Sequence, residues 1–183
     1  GVWELDQVYN KINEGGIWTY TEPNTLWAIG RNQWGQAGQN VGHAVFYSSP
    51  TQIGTDSTWG PISTWSSFNG GGNQFGSLKT DGTLWAWGYN NNGQFGLNDR
   101  TNYSSPVQMG TETTWNSVIM SYEGAGTKTD GTMWAWGRNE YGELGHNNTT
   151  YFSSPVQLPG TNWSSSVGKN AKGAGVTAAI KTD

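Results

Sequence analysis

Two periodicities divide this chain. Over residues 1–16, Leu5, Val8, Tyr9 and Ile12 fall at i, i+3, i+4 and i+7, with Gly15-Gly16 as a stop. That spacing predicts a short amphipathic helix, either a cap docked on the rest or a joint to a partner or upstream domain. From Trp27 onward short strand-forming runs alternate with turn residues. Val107-Gln108-Met109 and Val156-Gln157-Leu158 alternate apolar with polar, as half-buried strands do.

One pattern returns almost unchanged. Lys79-Thr80-Asp81-Gly82-Thr83-Leu84-Trp85-Ala86-Trp87-Gly88 recurs 49 residues later as Lys128-Thr129-Asp130-Gly131-Thr132-Met133-Trp134-Ala135-Trp136-Gly137. Each copy predicts strand, tight turn, strand, with both Asp-Gly positions at φ > 0. The structural repeat residues are therefore Asp81, Gly82, Trp85, Trp87 and Gly88, then Asp130, Gly131, Trp134, Trp136 and Gly137. A third copy is split between the ends: Lys181-Thr182-Asp183 is its first half, and Thr25-Leu26-Trp27-Ala28-Ile29-Gly30, after Glu22-Pro23-Asn24, its second. Pairing of the last strand with the first would close the open sheet edges, within one chain or between chains.

After each copy comes Gly-x-Asn-x-x-Gly-x-x-Gly, at 30–38, 88–96 and 137–145. Glycines at fixed offsets predict left-handed or crowded backbone, with the asparagine bonded into its own loop. A polar arm then ends in Ser48-Ser49-Pro50, Ser104-Ser105-Pro106 or Ser153-Ser154-Pro155, and Trp59, Trp115 and Trp163 are each expected to open a further strand. A period near 50 marks a solenoid or propeller.

Composition narrows the function classes. With 183 residues, one domain is the expectation. Only 12% of residues are charged while Trp numbers 12, so tryptophan must supply much of the buried area. The net charge is −4, the pI is about 5.0, and the nine basic residues are scattered. Nucleic-acid binding is not expected of such a chain. Without cysteine there is no disulfide, thiolate metal site or Cys nucleophile. No apolar run approaches the roughly 20 residues that span a bilayer, so no membrane insertion is expected. Opening on Gly1, the chain is expected to be processed or to start inside a longer product.

Candidate chemistry is sparse. His43 and His146 lie in separate polar arms, without an acidic cluster at ligand spacing. Asp81, Asp130 and Asp183 each occupy the same turn position, which repeat geometry explains, and Glu140 and Glu143 flank Tyr141 in one loop. No serine sits in a Gly-x-Ser-x-Gly elbow. The expectation is a non-enzymatic protein with no catalytic residue, no metal and no cofactor. What remains is surface: Trp34, Tyr89, Asn91, Asn92, Glu140, Tyr141, Tyr103 and Tyr151 are candidate recognition-loop residues, suited to protein or carbohydrate surfaces.

Leu84-Trp85-Ala86-Trp87-Gly88-Tyr89-Asn90-Asn91-Asn92-Gly93-Gln94-Phe95-Gly96, followed by Ser105-Pro106-Val107, resembles the regulator-of-chromosome-condensation repeat, as does the copy at 133–145. The resemblance implies a β-propeller of four-stranded blades. Fold expectations are thus an all-β, propeller-like array of about three four-stranded repeats with a short N-terminal helix. Residues 1–20 form the docking segment and 21–183 the repeats, divided at about 25–80, 81–129 and 130–183, with the ends sharing a split hairpin. The tandem Trp-Ala-Trp-Gly copies, and the opening Gly1-Val2-Trp3-Glu4-Leu5, are also similar to repeat proteins of marine bacteriophage virions. That likeness implies a virion structural or host-recognition protein, a capsid decoration or tail component. Its expected partners are other virion proteins, a host surface protein or glycan, and further copies of itself. The family name implies instead a regulator of a small GTPase, and a secreted bacterial adhesin or inhibitor would use the same loops.

Overall fold

The computed structural model describes residues 24–41, 45–60, 73–167 and 179–182. The expected N-terminal helix, His43 and Asp183 lie outside the described residues. The described chain is all-β: β1 (Trp27–Arg31), β2 (Phe46–Gln52), β3 (Gln74–Leu78), β4 (Leu84–Gly88), β5 (Tyr103–Gln108), β6 (Trp115–Met120), β7 (Glu123–Lys128), β8 (Met133–Gly137), β9 (Phe152–Gln157), β10 (Trp163–Val167) and β11 (Ala179–Lys181). They form four antiparallel sheets in chain order, β1-β2, β3-β4-β5, β6-β7-β8-β9 and β10-β11.

The third sheet is the complete unit, and the others are read from it. Trp115 opens β6 and pairs with Lys128, while Trp59 makes the equivalent isolated bridge to Lys79 beside the second sheet. Trp163 pairs with Lys181 in the fourth. The first sheet therefore holds the third and fourth strands of a unit, and the fourth sheet holds the first and second. Among the described residues, β1 pairs only with β2 and β11 only with β10. The described parts of the split hairpin, Thr25–Gly30 and Lys181-Thr182, do not pair with each other.

The Asp-Gly turns differ from the expected two-residue geometry. Lys79 N donates to Thr83 O at 2.9 Å and Gly82 N to Lys79 O at 3.0 Å, so the loop is Thr80-Asp81-Gly82. The copy at Lys128 repeats both bonds at 2.9 and 3.0 Å. Only the glycines have positive φ, +79° at Gly82 and +78° at Gly131. A type I turn followed by one left-handed glycine explains this, and it leaves the aspartate free to bond forward. Asp81 Oδ1 accepts from Thr83 N at 2.9 Å and Thr83 Oγ1 at 2.7 Å, and Asp130 does the same with Thr132.

The Ser-Ser-Pro arms also depart from expectation, because they lie inside β5 and β9 rather than ahead of them. Both are outer strands, where a proline lacking its N–H removes no ladder bond. The core is a series of small clusters, one per repeat. Leu26, Ile53, Trp59 and Trp87 form one. Leu84, Phe95, Met109, Trp115, Val118, Met120 and Trp136 form the largest, and Ala125, Met133, Ala135 and Leu144 a third. Trp87 and Trp136 each pack outside their own sheet's cluster, so indoles tie one repeat to the preceding one.

Close approach between sheets sets a stability difference between equivalent glycines. A Cβ on Gly35 (φ +81°) would lie 2.5 Å from Ser104 Cα of the second sheet, whereas at Gly142 (φ +85°) the nearest atom is Asn148 O at 3.9 Å. In dilute solution Gly142→Ala should cost about 1 kcal/mol, for left-handed backbone alone, and Gly35→Ala about 2 kcal/mol or more. Urea denaturation measures both. Equal losses would mean that the Gly35 loop does not pack on the next sheet.

Candidate recognition surface

The Gly-x-Asn-x-x-Gly-x-x-Gly segments form corner loops that leave the third strand of each unit. Each is built around a fully buried asparagine: Asn32, Asn90 and Asn139 are all 0% exposed. The side-chain oxygen accepts the amide five residues on, from Ala37 at 2.8 Å, Phe95 at 2.9 Å and Leu144 at 3.0 Å. The side-chain nitrogen donates nine residues on, to Val41 O, Asp99 O and Asn148 O. One side chain thereby closes the loop at both ends. Gln36, Gln94 and Glu143 brace the tip, their side-chain oxygens accepting the amides of Trp34, Asn92 and Tyr141 at 2.7, 2.9 and 2.7 Å.

Once closed, the corner bonds to the next sheet. Trp87 Nε1 donates to Gln36 O at 3.0 Å and Trp136 Nε1 to Gln94 O at 2.7 Å. On the outer side, Asn40 N donates to Ser104 O at 2.7 Å and Asn98 N to Ser153 O at 2.6 Å. Asn40, Asn98 and Asn147 all take left-handed φ, near +55°, which asparagine tolerates best among residues with a Cβ.

A second repeated device lies at the hairpins. Lys79 Nζ sits 3.6 Å from the Trp85 ring centroid and 4.9 Å from that of Trp59, and Lys128 Nζ lies 3.8 Å from Trp134 and 5.1 Å from Trp115. Each ammonium also meets a carboxylate, Asp56 for Lys79 and Glu112 for Lys128 at 2.6 Å. A lysine between two indole faces, with its charge balanced at the open end, keeps a buried cation at low cost. Sequence reading missed both lysines, although Lys and Trp fall six residues apart in each copy.

The candidate loop residues divide into separate groups. Trp34 and Tyr89 meet edge-to-face across the first and second repeats, centroids 5.3 Å apart. Asn91 is exposed, and Asn92 uses its amide on Gln94. Tyr103 turns inward, its hydroxyl donating to Asp99 Oδ2 at 2.7 Å, and that bond pushes the phenol's pKa up. Glu140, Tyr141 and Tyr151 gather around Arg138, a residue that sequence reading did not single out. Arg138 Nε donates to Glu140 Oε2 at 3.1 Å, and its guanidinium lies 5.6 Å from the Tyr141 ring and 5.8 Å from the Tyr122 ring. A hydrogen bond also links it to Tyr151. Tyr141 is 66% exposed at the edge of this cluster. Beneath it, burial pushes the Glu123 carboxyl pKa up. His146 packs on Phe152 and bonds Gln157 O at 3.2 Å. Among the described residues no group of three or more His, Cys, Asp or Glu is placed to hold a metal ion.

Residues 81–120 and 130–180 match the family model described as the Regulator of chromosome condensation (RCC1) repeat, so the chain carries RCC1-type repeats. No curated protein sequence matches the chain. Solved structures share the fold. Human WBSCR16 is similar with a TM-score of 0.62 and 21% identity over 75% of this chain and 35% of that one. Prp20p from Saccharomyces cerevisiae, reported with its binding properties to Gsp1p and histones, gives 0.59 and 18% over 78% of this chain and 36% of that one. Yeast RCC1 (Prp20) bound to Kap60 gives 0.57 and 19% over 74% and 34%. The fold is thus of the RCC1 propeller type, with the sheets as its blades, and the chain spans about a third of the length of each of these structures.

The hairpin carboxylates make stability acid-sensitive. The bond to Lys79 lowers the Asp56 pKa from 3.8 to about 2, and the bonds from Thr83 and Thr132 lower those of Asp81 and Asp130. A carboxyl whose folded pKa is depressed stabilises the fold above its unfolded pKa and loses that contribution as pH falls towards the folded one. Stability should therefore fall from about pH 4 to about pH 2, and Asp56→Asn should flatten part of the fall. Denaturation midpoints across that range check it; an unchanged slope in the variant would contradict the Lys79–Asp56 pairing.

Proposed function

We infer that the chain is a non-enzymatic protein-recognition scaffold, whose propeller-type blades present the corner loops to a partner. The single observation that carries this is the Arg138 cluster. Tyr141 stands 66% exposed on a loop held by a buried asparagine, with a guanidinium, a carboxylate and further tyrosines around it. Rigid aromatic groups beside arginine are what protein interfaces concentrate at their hot spots. The partners named for the similar yeast structures, Gsp1p, histones and Kap60, are consistent with a protein rather than a small molecule as the ligand.

Among partner classes, a small GTPase under regulation is the reading that the RCC1-type repeats favour. The virion reading, with other virion proteins or a host surface protein or glycan as partners, rests on the resemblance to phage repeat proteins. That resemblance leans in part on residues 1–23, outside the described structure. A secreted adhesin or inhibitor would present the same loops. The low net charge of −4 and scattered basic residues favour none of the nucleic-acid roles.

The chain, incubated with a panel of small GTPases carrying fluorescent nucleotide, should accelerate release from one of them. Tyr141→Ala should slow that acceleration about tenfold or more while changing stability by less than about 0.5 kcal/mol, since the side chain is exposed. No acceleration across the panel would exclude the regulator. Image reconstruction of the source particle with density fitting the blades would then favour the virion component.

A further inference from the structure

The lysine sandwich, made twice in full, is present a third time in two separated halves. Lys181 Nζ lies 5.8 Å from the Trp163 ring, the counterpart of Lys128 over Trp115, and has no second indole among the described residues. At the other end Trp27 holds the position of Trp85 and Trp134, and its Nε1 donates to Thr25 Oγ1 at 2.9 Å as theirs donate to Thr83 and Thr132. Among the described residues no lysine covers it, and it is 53% exposed. Ile29 (67% exposed) and Ile180 (59%) lie on the same two strands, β1 and β11, each of which has one edge without a partner among the described residues. Their equivalents Trp87 and Thr127 are buried, at 2% and 0%.

A second set of complementary features lies further out. The first and second corner loops each have a serine of the next sheet against them, Ser104 at Gly35 and Ser153 at Gly93. The third corner has the same glycines and the same left-handed asparagine, yet among the described residues nothing comes closer to a Cβ at Gly142 than Asn148 O, 3.9 Å away, and no serine carbonyl meets Asn147 N. Conversely Ser48, the equivalent serine of β2, is exposed and, among the described residues, receives no corner. Donor and receiver are both built, at opposite ends of the row of sheets.

We propose that a second copy of this chain supplies the missing half, β11 of one copy pairing antiparallel with β1 of the next to complete a four-stranded blade. The register follows from the internal hairpins. Leu78 pairs with Leu84 and Ser77 with Trp85, which sets Ile180 opposite Leu26 and Ala179 opposite Trp27. Lys181 then lies between Trp163 of its own chain and the second indole that Trp27 of the partner copy provides. The third corner of the first copy settles on Ser48 of the partner copy, whose β2 flanks that β1. The contact is head to tail, so it closes only as a ring. Among the described residues each copy carries one four-stranded sheet, one three-stranded sheet to which Trp59 adds a bridge, and two half-blades, so two such copies joined at both ends make six units, within the roughly four to eight of ordinary propellers. One bond of the internal joints is lost, because Ile29 stands where Trp87 and Trp136 donate to a corner carbonyl. The joint should therefore be weaker than the internal ones and dissociate on dilution.

Sedimentation of the 183-residue chain, from low to high concentration, tests this, with two charge-introducing variants at side chains already exposed in the single chain. The wild type should shift on concentration to about twice 19.9 kDa. Trp27→Asp blocks one end and Ile180→Asp the other, and each alone should stay near 19.9 kDa with an unchanged circular dichroism spectrum. Mixed, they should form a one-to-one pair, because each retains the end that the other lacks. A wild type that stays at the single-chain mass throughout would overturn the proposal. So would variants that associate alone as the wild type does, or a mixture that never pairs.

Discussion

The buried corner asparagine is the constraint on which the rest of the structure depends. Asn32, Asn90 and Asn139 spend their side-chain oxygen on the amide five residues ahead and their nitrogen on a carbonyl nine ahead, so a loop of crowded, left-handed glycines has one conformation. With the loop fixed, the carbonyls of Gln36 and Gln94 reach the indoles of Trp87 and Trp136. A buried polar group left unpaired costs on the order of 1–3 kcal/mol. The asparagine is therefore more than a local turn former: it fixes the spacing between sheets. Small cores, one per repeat, suffice because each repeat is also held by its neighbour.

The lysine sandwich does for the hairpin what the asparagine does for the corner. Lys79 and Lys128 lie on the outside of β-turns yet are largely covered by indoles, and Asp56 and Glu112 balance their charge. Few charged residues are available to this chain, and several of them are committed to these joints. Arg138 is held differently, at the third corner between the rings of Tyr122 and Tyr141.

Much of this was legible in the sequence because it repeats. The 49-residue return of Lys-Thr-Asp-Gly-Thr marked β3–β4 and β7–β8, and the asparagine of Gly-x-Asn could be read as bonding its own loop. Other features were hidden for physical reasons. Asp-Gly reads as a two-residue turn, but the forward bonds of Asp81 to Thr83 make the three-residue loop better. Ser-Ser-Pro reads as a connector, although an outer strand tolerates proline without losing a ladder bond. Contacts between repeats, such as Trp34 with Tyr89 or Gly35 against Ser104, follow from how sheets stack and leave no local trace. The Arg138 cluster was half visible: Glu140, Tyr141 and Tyr151 could be picked as loop residues, but not the guanidinium that gathers them.

The central claim is that the corner asparagines hold each loop rigid enough to join the blades. Amide hydrogen exchange followed by nuclear magnetic resonance tests it at the bonds concerned, those of Ala37, Phe95 and Leu144. The account predicts that these three loop amides exchange as slowly as those in β4 and β8, and that Asn90→Ala releases Phe95 while leaving Leu144 protected. Exchange of all three at the rate of an open loop, in the unmodified chain, would contradict it.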